Sequence, residues 1–346
     1  MKTVLVNFEV FFKPENEHYD IIMSRIPNDC TVVIGLLLAD GLLYKSKQFF
    51  DMYQRIKTAH PGKQFELLTG MCGNNSTIEF DFNLNETYLS YQAVPVQQWN
   101  PTADKFLFMG GVPNRENRIV LLDKFYQAGL LEQAEWSFFK PWTDEQAAWC
   151  RSALSHYTNT EYETFLDTCE RKLDDVYADS KEYGTAPEKQ TFDWCKDPAW
   201  VDPSIYNNTM LSVVSEGLPH DLSLNTAFMT EKMWRVFAQQ HPFILSGTKD
   251  MMAYIKQLGF KTFEQYMRIP DYVEDLDAIV ENTRGFLEDY PKYEQQIKAD
   301  CSYNYYHFHS LGRMNRGHLL WLRDYYNIDQ GSIDYWFNQK GFAHLL

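Results

Sequence analysis

The sequence predicts an α/β protein of two Rossmann-like units, with a helical insertion and an aromatic-rich helical tail. Three observations lead there. Residues 30–38 (CTVVIGLLL) form a continuous apolar run of strand length, as a strand buried on both faces of a parallel sheet requires. Residues 106–128 read as a short strand, a Gly110-Gly111 turn and a helix, the opening of a βα unit. Residues 213–263 then run strand, loop, helix, strand, helix, which suits parallel strands joined by crossover helices.

Each element has a local signal. In residues 1–100, the first domain, Val4, Val6, Phe8 and Val10 alternate as a strand does, and Phe49, Met52, Tyr53 and Ile56 share one face of a helix over 45–58. Pro61-Gly62 is a break, 65–71 and 77–82 read as strands, and the polar, proline-bounded 95–101 is the linker. The second domain is expected over 101–290. Asn114 caps a helix over 115–128, with Ile119, Leu122, Phe125 and Tyr126 facing inward and Gly129 at its stop. A helical insertion, acidic and mostly helical over 144–180, fills about 144–200. A strand around Leu211, Val213 and Val214 follows, then a helix over 230–240, a strand over 242–246 and a helix over 249–258. In the tail, 291–346, Tyr303, Tyr305, His307 and His309 alternate as on a strand, and 314–325 reads as helix.

Composition sets the outer bounds. With 45% apolar and 16% aromatic residues the chain is too apolar for disorder, and 346 residues suit two domains of about 150 each. The formal net charge of −15 argues against broad electrostatic attachment to nucleic acid or an anionic membrane, while leaving room for a local basic pocket. No apolar run approaches the roughly 20 residues of a bilayer span, so no membrane span is expected. Asn7 and Glu9 interrupt the first apolar stretch, which favours a strand over a secretion signal and places the chain in the cytoplasm. Six cysteines without ligand spacing read as free thiols of a reducing compartment. Asn85 and Asn207 stand in glycosylation patterns, which carry little weight without a secretion signal.

Two helix starts carry basic residues where the dipole favours acids. Arg115 and Arg118 follow Asn114, and Lys232 follows the N-cap candidate Thr230. Both helices follow strands of a parallel sheet, whose carboxyl ends bind ligands, and basic side chains at helix starts suit phosphate. Solvated surface charge is the competing account. Glu231 and Glu216 lie beside these cations; a carboxylate there suits a ribose diol, or serves as a dipole partner or a solvated strand end.

The block VVSEGLPHDLSLNTAFMTEKMWRVFAQQHPFILSG with LGFKTF resembles the donor-binding half of GT-B glycosyltransferases, in particular phage- and marine-virus-encoded glycosyltransferase-like proteins. Its Thr230-Glu231-Lys232 is similar to the nucleotide motif of α1,3-fucosyltransferases and, more loosely, of exostosin-like enzymes, and FLFMGGVPNRENRIVLLDKFYQAGLLEQAEWSF resembles the opening of the same viral donor domain. The resemblance covers about residues 104–285. It implies a GT-B fold, two Rossmann-like domains facing a cleft, with the acceptor side at 1–100, the nucleotide-sugar donor side at 101–290 and the tail packing across both. It assigns Glu231 to the ribose, Lys232 with Arg115 or Arg118 to the diphosphate, and Glu216 to the sugar or its ribose. The donor is then a substrate, no cofactor is needed, and cations rather than a metal stabilise the leaving diphosphate. A viral enzyme would work in the host cytoplasm, on an acceptor glycan or a hydroxymethylated DNA base.

An inverting transfer also needs a base for the acceptor hydroxyl, and Asp40 and then Glu9, each following a strand of the first domain, are the candidates beside purely structural roles. A retaining transfer would not need it. Asp275-Leu276-Asp277 has an Asp-x-Asp pattern that reads as a solvated helix face, and His307-x-His309 lacks a third ligand, so no metal is expected. The tail aromatics with Arg313 and Arg316 either stack acceptor rings or pack the tail. Two rivals remain: a non-catalytic sugar- or nucleotide-binding module on a degenerate glycosyltransferase fold, and another phosphate-ligand α/β enzyme. The chain has no GxGxxG or P-loop motif.

Overall fold

A computed structural model describes residues 3–7, 15–37, 47–69, 99–101, 104–111, 116–138, 143–168, 203–216 and 231–325. It is α/β, with every strand pairing parallel. The first sheet has the order β1 (Thr3–Asn7), β2 (Val32–Leu37), β3 (Gln64–Thr69), with α1 (Glu15–Arg25) and α2 (Lys47–Ala59) as the crossovers. Val4, Val6, Ile22, Val33, Met52 and Ile56 form its core. The strand expected over 77–82 lies outside the described residues.

The second sheet has the order β5 (Ala134–Phe138), β4 (Phe106–Gly111), β6 (Leu211–Ser215), β7 (Phe243–Ser246). Helix α3 (Glu116–Gln127) links β4 to β5. It ends where Gly129 takes φ 68° and the Leu130 N–H reaches back to the Phe125 carbonyl at 2.9 Å, a glycine-terminated helix stop. Helices α4 (Asp144–Tyr157) and α5 (Tyr162–Thr168) follow β5, and α6 (Pro203–Asn207) precedes β6. Helix α7 (Glu231–Ala238) joins β6 to β7, and α8 (Lys249–Gln257) follows. Every residue of β6 and β7 is buried, as strands covered on both faces require.

The chain then enters α9 (Leu276–Tyr325), a helix of 50 residues. It packs on α3, α7, β6 and β7. Ile279, Thr283, Phe286, Tyr290, Ile297, Cys301, Tyr305 and Phe308 are buried along one stripe with helical spacing. Residues 303–309 are therefore helical, not a strand: Asn304, Tyr305 and Phe308 are buried while Tyr303 and Tyr306 are exposed, a three-to-four spacing that overrides the period-two look. The helix also runs through residue 290, where the sequence placed the start of the tail. Tyr126, expected to face inward, is 49% exposed. Asp275 caps α9, its carboxylate accepting from the N–H groups of Asp277 and Ala278, and Asp277 pairs with Lys124 at 2.6 Å. Among the described residues no helix is long and apolar enough to cross a membrane.

Candidate functional site

Strands β4 and β6 are neighbours from which the chain leaves in opposite directions. From β4 it passes through α3 to β5 on one side; from β6 it passes through α7 to β7 on the other. Such a reversal is where open parallel sheets bind ligands, beyond the strands' carboxyl ends. The pairing here is short. β4 and β6 pair only through Phe106 with Leu211 and Leu107 with Ser212, whereas β4 stays paired to β5 as far as Phe138 and β6 to β7 as far as Ser246. The ladder between the two central strands thus stops before their carboxyl ends. Gly110 helps set this geometry on the other side: a Cβ there would meet Phe138 Cδ2 at 2.9 Å and the Ser137 carbonyl at 3.2 Å, so only glycine lets β5 approach.

Asn117, in the first turn of α3, reaches the end of β6. Its Nδ2 donates to Ser215 Oγ at 3.0 Å and to the Glu216 carbonyl at 2.9 Å. A main-chain carbonyl only accepts, so the amide has one orientation, nitrogen toward β6 and Oδ1 away. Oδ1 is shut off from solvent and has no donor. An acceptor left in that state costs about 1–3 kcal/mol. The Glu216 N–H meanwhile donates to the Ser246 carbonyl at 3.0 Å, so both main-chain groups of Glu216 are fixed.

Two charged residues, one next to Asn117 in α3 and one at its acceptor, are buried rather than solvated. Arg118 is 6% exposed and Glu216 is 1% exposed. Arg118 thus departs from the account in which it is a solvated helix-start charge. The helix is described from Glu116 onward, and its first turn does carry an acid, as the dipole favours. At the end of α4, Tyr157 stands beside Glu116, and burial together with that carboxylate pushes its phenol up. From α7 comes Arg235, 3% exposed, with Nη1 at 4.0 Å from Met109 Sδ of β4. Lys232, the second residue of α7, is half-buried. Glu231 opens α7, and its side chain lies outside the described residues, as do Thr230, Arg115, Asp40 and Glu9 altogether.

Sequence reasoning missed Asn117 and Arg235. Asn117 stood unnoticed between the charges of Arg115 and Arg118. Arg235 had a signal: it is the one cation between Met233-Trp234 and Val236-Phe237, all of which are buried. A charge inside so apolar a stretch is retained only where something holds it.

A second polar cluster lies toward the amino ends of β6 and β7. His241 is buried, with Nε2 at 3.0 Å from the Thr209 carbonyl and Nδ1 at 2.8 Å from Ser212 Oγ. Since the carbonyl accepts, Nε2 carries the proton and Nδ1 accepts a hydrogen bond from the Ser212 hydroxyl. Trp99 Nε1 donates to the same Thr209 carbonyl at 3.0 Å. Burial lowers the His241 pKa to about 4, so the ring is neutral at pH 7. The described thiols are not nucleophiles either: Cys30, Cys150 and Cys301 are buried, and burial pushes the Cys150 thiol up to about 12. Among the described residues no group of three or more His, Cys, Asp or Glu side chains is placed to hold a metal ion.

No protein-family model matches the chain, and neither the curated proteins nor the solved structures contain a match.

Proposed function

We propose that the chain is a glycosyltransferase that binds a nucleotide-sugar at the β4/β6 switch point and moves the sugar to an acceptor hydroxyl. The observation that carries this reading is the early end of the β4/β6 ladder, with Asn117 of α3 held to the end of β6, buried Arg118 next to it in sequence, and Glu216 buried at its acceptor. A nucleoside diphosphate leaving group gains negative charge as the glycosidic bond breaks, and a buried guanidinium and helix N-termini stabilise that charge more strongly than solvated ones. The helix starts at Glu116 and Glu231 both follow strands of this sheet. The resemblance of residues 104–285 to GT-B donor domains supports the same assignment, with Lys232 and Arg115 or Arg118 on the diphosphate, Thr230 and Glu231 at the ribose and Glu216 at the sugar. Asp40 or Glu9 is the base proposed for the acceptor. The acceptor is a glycan or a hydroxymethylated DNA base, and the −15 charge favours a small acceptor footprint.

Thermal shift across UDP, GDP, ADP, CMP and their sugar conjugates tests the reading, followed by mass spectrometry of acceptors including hydroxymethylated DNA. The expected result is a rise in melting temperature with one nucleotide class, lost in Arg118→Met and Lys232→Ala, and sugar transfer or donor hydrolysis with the matching conjugate. Absence of any shift overturns the proposal. A shift with neither hydrolysis nor transfer identifies a binding module instead.

A further inference from the structure

Helix α9 has two seams. One is the buried stripe of Ile297, Cys301, Tyr305 and Phe308, by which it packs on the rest of the second unit. The other faces solvent. Between residues 293 and 310 the exposed residues are Gln295, Gln296, Ala299, Tyr303, Tyr306 and Ser310, and none of them carries a charge. From Gln296 onward they recur after three, four, three and four residues, the spacing with which one α-helix lays a seam along another. Earlier in the same helix the exposed residues include Asp277, Glu288 and Lys292, charged as a solvated face normally is. The charges that border the stripe are already engaged within the chain. Lys298 donates to Asn100 Oδ1 at 3.1 Å and to Glu294 Oε1 at 2.8 Å, and Asp300 accepts from the Tyr266 hydroxyl at 2.8 Å and from Gln265 Nε2 at 3.0 Å. Tyr303 is 44% exposed and Tyr306 is 70% exposed.

Two features commit this stripe to a second copy of the chain. A chain of net charge −15 repels its own copy over most of its surface, and a charge-free stripe is where two copies meet without that repulsion. The order of side-chain sizes is also self-complementary. With the helix laid antiparallel on itself about a two-fold axis at Tyr303, Tyr306 falls over the small Ala299 of the second copy and Gln296 meets Ser310. The two Tyr303 rings meet at the axis. Large residues then fill the spaces that small ones leave, in both directions at once. We propose that the chain forms a two-fold dimer through this stripe, with two α9 helices packed antiparallel over residues 296–310. The inference goes beyond the nucleotide-sugar reading and stands independently of it. The seam is about 20 Å long and partly polar, so the dimer is weak and dissociates on dilution.

The test is sedimentation equilibrium of the full chain between about 1 and 100 μM. The average mass is expected to rise with concentration toward twice the monomer value. Ala299→Glu sets a carboxylate under the Tyr306 ring of the second copy, and Tyr306→Lys replaces that ring by an ammonium. Each alone is expected to hold the mass at the monomer value. Combined in one chain they place Glu opposite Lys twice across an antiparallel seam, and the rise is expected to return. Both positions are exposed, so far-UV circular dichroism should show the same helix content in all three variants. Where a single variant loses helix, Tyr303→Glu, which sets two carboxylates face to face at the axis, takes its place. A wild type that stays monomeric over this range overturns the proposal and leaves the stripe to a partner of another kind. A dimer that persists in both single variants overturns it as well, since the copies then meet elsewhere. Monomeric single variants without recovery in the combined one overturn the antiparallel arrangement.

Discussion

Asn117 donates to the main-chain carbonyl of Glu216 at 2.9 Å, across the gap where β4 and β6 are no longer paired. The bond ties the start of α3 to the end of β6. Its donor cannot be exchanged for an acceptor. Asn117→Asp sets a carboxylate oxygen against the Glu216 carbonyl, which cannot donate, while the Ser215 hydroxyl can turn to donate to it. The dipole gain from an acid in a first turn is about 0.3–1 kcal/mol, and it is outweighed by the loss of a buried donor at about 1–3 kcal/mol. Asn117→Asp should therefore lower stability in urea unfolding, and by more than Asn117→Leu, which loses the bonds without adding repulsion. A stabilised Asn117→Asp would mean that the amide is oriented the other way.

Arg235 and Arg118 invite a comparison between removing charge and removing shape. Each is buried, so Arg→Ala leaves a cavity as well as a lost charge. Arg→Met keeps most of the stem. Arg118→Met should unfold cooperatively and lose the nucleotide-induced rise in melting temperature. Arg235→Met, on the α7 side of the same gap and touching Met109, should weaken that rise. Thermal unfolding with and without nucleotide measures both. A full-sized shift in Arg118→Met would remove Arg118 from the diphosphate site.

His241 gives a pH dependence with a definite sign. Its folded-state pKa is lowered from 6.5 to about 4, with burial as the main cause, so protonation favours the unfolded chain. Above pH 6.5 the ring is neutral in both states and its contribution is fully present. Between pH 6.5 and about 4 the unfolded state binds a proton that the folded state does not, and stability falls. The loss is on the order of 3 kcal/mol by pH 4. Urea unfolding at pH 7, 5.5 and 4.5 should show this slope, and His241→Asn, which does not titrate, should flatten it. Parallel slopes in the two proteins would remove His241 as its source.

Much of the α/β order was legible because buried parallel strands are short apolar runs and helices carry periodic stripes. Val32–Leu37 and Phe243–Ser246 are strands within one or two residues of expectation. What escaped had local signals that tertiary contacts overrode. Ala134–Phe138 follows Leu130-Leu131-Glu132-Gln133, which has strong helix propensity, yet the chain makes only a 3₁₀ turn over Leu131–Gln133 before pairing with β4. The alternation of Tyr303, Tyr305, His307 and His309 gives way because Asn304 bonds both main-chain groups of Lys261, at 2.7 and 2.9 Å, and Phe308 lies in the core. At the site, charge was the visible signal. It pointed to Arg118 and Glu216, but a neutral amide tying a helix to a strand end has no sequence signature, and Asn117 emerged only from its bonds.

Three glycines should respond to alanine in three different ways, because conformation and space act separately. Gly259 has φ +90°, and a Cβ there would stand 3.0 Å from His307 Nε2. That nitrogen donates to the Leu258 carbonyl at 2.6 Å, so the ring cannot yield without losing the bond that holds the loop to α9. Gly259→Ala combines backbone strain with that loss and should cost about 2–3 kcal/mol. Gly129 also has a positive φ, 68°, but open space around it, so Gly129→Ala should cost about 1 kcal/mol from strain alone. Gly62 has neither a positive φ nor a neighbour within 4 Å. Gly62→Ala should stabilise by about 0.4–1 kcal/mol, since it restricts the unfolded chain more than the folded one. Chemical denaturation of the three variants measures the order, and a Gly259→Ala no worse than Gly129→Ala would show that His307 gives way freely.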